Sequence, residues 1–72
     1  SYQPKKNTAV ALALALRLSL DETKAFLARA GYAFSPGSVF DLIVSYFIEQ
    51  GVYDIYTINL TLFEYEQPIL GD

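Results

Sequence analysis

From Thr8 to Leu18 the chain alternates Ala with Val or Leu, a period of two that on its own suits a strand. Residue preference points the other way: Ala and Leu are strong helix formers and Ala is scarce in strands. The segment therefore predicts a helix over about Thr8 to Arg17, with Asn7 as its N-cap. Wound at about 100° per residue, it sets Leu12, Leu16 and Leu20 on one side and Val10, Leu14 and Leu18 roughly opposite. Such a helix is apolar on two faces, so one enters a core and the other must meet a second layer, a partner or the rest of a longer protein.

Ser19 followed by Glu22 has the spacing of a capping box and starts a second helix, Leu20 to Ala30. Leu20, Thr23, Phe26, Leu27 and Ala30 form its apolar face, and Gly31 is a left-handed stop. Ser35, Pro36 and Gly37 supply turn chemistry between Tyr32 and Ser38. A third helix follows, with Ser38 and Asp41 at cap spacing, and runs to Gln50. Asp41, Ser45 and Glu49 recur every four residues, which predicts one narrow wet stripe on an otherwise buried central helix. Gly51 closes it. Asp54 is placed to cap a fourth helix, Ile55 to Tyr65, although the Ile, Thr and Tyr content also suits extended chain. Helical winding separates Thr57, Thr61 and Glu64 from Ile55, Ile58, Leu62 and Tyr65, and this favours the helix. Pro68 stops it, and Ile69 and Leu70 are expected to fold back as an apolar anchor. The expectation is an all-α, compact four-helix bundle of orthogonal or irregular packing. It forms one small domain, with residues 1–6 as a disordered arm.

A chain of 72 residues buries only ~60% of its unfolded surface, and small domains commonly add disulfides or metals. With no Cys and no His, this one offers neither disulfides nor a zinc or transition-metal site, and no cofactor is expected. Its 53% apolar content, with five Phe and six Tyr, must carry stability instead. Ala9 to Leu16 is far short of the ~20 apolar residues that span a bilayer, so no membrane partner is expected. No cleavage motif follows the apolar run, so the expected location is cytoplasmic.

Charge is divided along the chain. Lys5, Lys6, Arg17, Lys24 and Arg29 all precede residue 30, while the 43 residues from Ala30 onward hold six carboxylates and no Lys or Arg. Lys5, Lys6 and Arg17 are the candidate phosphate contacts, but three cations bind nucleic acid weakly and in a salt-sensitive way. The missing His and Cys remove the usual base and nucleophile. Asp41 and Asp54 fall where helix starts favour acids, so an enzyme is not expected. Eleven aromatics exceed what so small a core conceals, which makes Tyr46, Tyr53, Tyr56, Phe63 and Tyr65 the candidate partner interface. Asn59 joins them as a polar residue inside the apolar face of the fourth helix. It is expected either to bond a neighbouring loop's backbone or to meet a partner.

The stretch PKKNTAVALALALRLSLDET, Pro4 to Thr23, resembles the closing portion of xenobiotic-response-element (Cro-like) helix-turn-helix regulators. The continuation resembles a helical extension behind such domains in bacteria: the stop at Leu27 to Tyr32, the Asp-led apolar helix from Asp41, and the pair Asn59 and Leu60. It is also similar to helical tails of unrelated catalytic domains, macrodomains among them. The resemblance implies an accessory or C-terminal domain of a larger bacterial protein. In that family the DNA-reading helix lies upstream of the matching portion. Within this chain the segment Tyr32 to Phe40 has no Arg, Lys, Asn or Gln to read bases, so nucleic acid is not expected for this chain alone. The expected function is a protein–protein interaction or self-association module, as a homo-oligomer or with another protein. The alternative is a DNA-binding transcriptional regulator or its dimerisation part.

Overall fold

The computed structural model describes residues 3–71, and four helices account for most of them: α1 (Lys6–Ala15), α2 (Leu20–Arg29), α3 (Val39–Glu49) and α4 (Ile55–Glu64). There is no strand among the described residues. The fourth segment is therefore helical despite its Ile, Thr and Tyr content. Packing runs in chain order, α1 on α2, α2 on α3 and α3 on α4. The radius of gyration is 11.2 Å, which matches the ~11 Å of a well-packed chain of this length.

Three of the four helix starts follow the local chemistry. Ser19 Oγ accepts from Glu22 N while Glu22 Oε1 accepts from Ser19 N, a complete capping box. Ser38 Oγ accepts from Asp41 N at 3.1 Å, and Asp54 accepts from Thr57 N at 3.3 Å and from Thr57 Oγ1 at 2.6 Å. The first helix departs from expectation. It begins two residues early, at Lys6, with Lys5 at the cap position and no side-chain cap. Asn7 does not cap, because its Nδ2 donates across the fold to Ile69 O at 2.8 Å.

All four helices end in the same way. The residue after the cap turns left-handed, and two backbone N–H groups return to the last turn, as in Leu18 N to Ala13 O and Gln67 N to Leu62 O. Gly31 and Gly51 take this conformation freely. At the other two stops Arg17 (φ 53°) and Glu66 (φ 57°) adopt it against the steric preference of L-residues.

The core is aliphatic: Ala9, Val10 and Leu14 of α1, Leu27 of α2, Val44 and Ile48 of α3, Ile58 and Leu62 of α4, and Leu70 of the tail. Thus the Val10/Leu14 side of α1 is the one that enters. Leu12 and Leu16 are left 47% and 61% exposed. Of the anchor pair, Leu70 is buried and Ile69 is exposed. No described aromatic is fully buried; Phe26, Phe34, Phe40, Phe47 and Tyr53 pack around the aliphatic centre.

The expected arm at residues 1–6 needs correction where it is described; Ser1 and Tyr2 lie outside the described residues. Gln3 Nε2 donates to Ala30 O at 2.7 Å, and Pro4 O accepts from Tyr32 Oη at 2.8 Å. Lys6 belongs to α1 and pairs with Asp41 at 2.8 Å.

That ion pair overturns a second expectation. Asp41 was expected on a wet stripe with Ser45 and Glu49, yet it is 1% exposed. Its Oδ2 takes both the Lys6 ammonium and the Ser35 N–H, the latter at 2.7 Å. Two charge-assisted bonds stabilise the carboxylate in the interior. With Asp41 drawn inward, α3 is rotated so that Val39, Leu42 and Tyr46 face outward instead.

Candidate interaction groove

The outward side of α3 is apolar because its residues at i, i+3 and i+7 are Val39, Leu42 and Tyr46. Leu42 is 54% exposed and Tyr46 56%. Beside them α4 contributes Thr61, and Tyr65 follows at its C-terminal cap. With Ile43 and Phe47 these residues line an open groove of about 470 Å³. The Tyr46 ring meets the edge of Phe47, with centroids 5.7 Å apart and planes at 71°.

Three carboxylates follow the lining residues closely along the chain. Glu49 lies one turn beyond Tyr46, Glu64 one turn beyond Thr61, and Glu66 directly after Tyr65. All three are exposed, and none has an ion-pair partner among the described residues. Lys24 approaches Leu42 from α2 in a separate depression that Phe34 and Pro36 also line.

The candidate interface residues do not form one surface. Tyr46 and Tyr65 come together in the groove. Tyr56 and Phe63 are well exposed, but helical winding places them with Leu60 on the far side of α4, away from Thr61. Tyr53 is half-buried, donates from Oη to Leu18 O at 2.8 Å, and carries the Arg17 guanidinium over its ring at 5.7 Å. Asn59 takes the backbone-bonding role: Oδ1 accepts from Leu70 N at 2.7 Å and Nδ2 donates to Leu70 O at 3.0 Å. The amide of α4 thereby locks the C-terminal tail onto the bundle.

The candidate phosphate contacts are also dispersed. Lys6 is held by Asp41, Lys5 is exposed beside it, and Arg17 stands at the opposite end of α1. At 1.5 Å rise per residue, Arg17 is roughly 16 Å away along the axis. Among the carboxylates, the Thr57 hydroxyl holds Asp54 below its ordinary range. Asp41 Oδ1 is buried and has no hydrogen-bond partner among the described residues.

Val39, Leu42, Ile43, Phe47 and Thr61 were not among the residues expected at an interface. For Val39 and Leu42 the signal was the i, i+3, i+7 apolar series they form with Tyr46 on α3, which the adjacent Asp41, Ser45 and Glu49 series masked. No helix is long and apolar enough to cross a membrane, among the described residues. Comparisons with protein families, with curated proteins and with solved structures return no match.

Proposed function

We propose that this chain is a protein-interaction module and that the groove between α3 and α4 is its binding surface. One observation carries the reading: on a chain of 72 residues, Val39, Leu42, Tyr46 and Tyr65 stand exposed together around an apolar groove. Contiguous exposed apolar patches on small soluble domains mark interaction sites, whereas isolated apolar side chains do not. Aromatic residues at the patch and exposed carboxylates closely following its lining residues match the usual division into apolar centre and polar rim. The separation of Lys5 and Lys6 from Arg17 supports a protein partner over nucleic acid.

The test compares the wild-type chain with the double variant Leu42→Glu, Tyr46→Ser. Sedimentation velocity measures self-association, and affinity capture followed by crosslinking measures binding to other proteins. Association of either kind should occur with the wild type and be lost in the variant while the helical signal is kept. A wild-type chain that remains monomeric and captures nothing beyond what the variant captures would refute the proposal.

A further inference from the structure

Resting on that reading, we infer that the groove's occupant is a second copy of this chain, docked head to tail through the outer ridge of α1. The ridge is the mirror of the groove in its chemistry. Leu12 and Leu16, one turn apart, stand 47% and 61% exposed on α1. Exposed Lys5 and Arg17 mark the two ends of the ridge. Arg29 of α2 shares a depression with Leu12. An apolar ridge flanked by cations thus belongs to the same molecule as an apolar groove whose lining residues are closely followed by Glu49, Glu64 and Glu66.

Charge selects between the two ways in which copies can meet. Groove against groove, the two-fold arrangement, brings the three carboxylates of one copy onto those of the other, and like charges oppose it. Ridge into groove brings Lys5, Arg17 and Arg29 toward the carboxylates and covers Leu12 and Leu16 together with Val39, Leu42, Tyr46 and Tyr65 in one contact.

A ridge-into-groove contact is heterologous, so each docked copy leaves one free ridge and one free groove. Growth continues into open chains unless the rotation closes a ring. Sedimentation of the wild type should therefore show mass rising with concentration past the dimer. Raising salt from about 50 mM to about 500 mM should weaken association on the order of tenfold.

The deciding experiment mixes two variants, Leu16→Glu, which spoils the ridge, and Leu42→Glu, which spoils the groove. Both positions are more than half exposed, so the fold should persist, and helical circular dichroism verifies it; Leu16→Ser and Leu42→Ser are the milder pair. Each variant alone should be monomeric. Their equimolar mixture should form a 1:1 dimer and nothing larger, since one intact ridge meets one intact groove. A mixture that stays monomeric overturns head-to-tail docking, as does a wild type that stops at the dimer or is monomeric throughout. A monomeric wild type that still captures another protein through Leu42 overturns this inference and leaves the interaction module standing. A monomer that captures nothing overturns both.

Discussion

Replacing Lys6 by Met should destabilise the domain far more than replacing its partner, Asp41, by Asn. The asymmetry follows from where the two charges sit: side-chain exposure is 30% at Lys6 and 1% at Asp41. Without Lys6, the Asp41 carboxylate remains buried with the Ser35 N–H as its one donor among the described residues, where its Oδ1 has no partner. Breaking a fully buried pair this way costs ~3–5 kcal/mol, and the partial exposure of Lys6 lowers that to about 2–3. Domains carry ~0.05–0.15 kcal/mol per residue, so 72 residues hold roughly 4–11 kcal/mol in all. The loss is a large share of that and should lower Tm by roughly 10–20 °C. Asp41→Asn removes the charge itself. The amide oxygen can still accept from Ser35, and the freed ammonium reaches water, so the expected cost is about 1 kcal/mol. Joining Lys6→Met to Asp41→Leu should recover most of the loss, since an apolar pair needs no partner. Thermal melts of all four proteins, followed by helical circular dichroism, measure these differences. Equal costs for Lys6→Met and Asp41→Asn, or a cost below about 0.5 kcal/mol for Lys6→Met, would show that the pair behaves as an exposed one and refute the argument.

Two further outcomes depend on the last third of the chain. Asn59→Ala removes both bonds to Leu70, each worth ~0.5–1.5 kcal/mol, so denaturant melts should show a loss of about 1–3 kcal/mol. Hydrogen exchange should also accelerate at Leu70 N–H before it does in α3. Acid should weaken the start of α4: Asp54 is held below its ordinary value by the Thr57 hydroxyl, so its contribution is present above the unfolded carboxylate pKa of ~3.9 and disappears as pH falls through the lower folded value. An Asp54→Asn variant should lack that part of the acid limb in a pH series of melts. Superimposable acid limbs would remove Asp54 from the account.

Element boundaries were legible wherever the determining chemistry is local. Ser19 with Glu22, Ser38 with Asp41, Asp54 with Thr57, and the two glycine stops each act within a few residues, and the helices begin and end accordingly. The start of α1 was misplaced because Asn7 is engaged 62 residues away, at Ile69. Asn59 was legible as a misplaced amide, and its bonding to nearby backbone followed from the cost of leaving it unsatisfied. Tyr56 and Phe63 were grouped with Tyr46 and Tyr65 because sequence shows that aromatics exceed the core, but not which side of α4 each one takes.

The groove was hidden for a reason that bears on function. Winding the third helix yields one polar stripe, and the ordinary rule turns such a stripe to water. Lys6, 35 positions earlier, reverses that choice by taking Asp41 into the interior. The alternative rotation would have turned Val39 and Tyr46 toward the bundle, where full burial of a large apolar side chain stabilises by ~1.5–3 kcal/mol. About half of that is forgone at Tyr46, which remains 56% exposed. One long-range ion pair therefore does two things: it ties α1 to α3, and it holds α3 in the rotation that leaves Val39, Leu42 and Tyr46 facing outward.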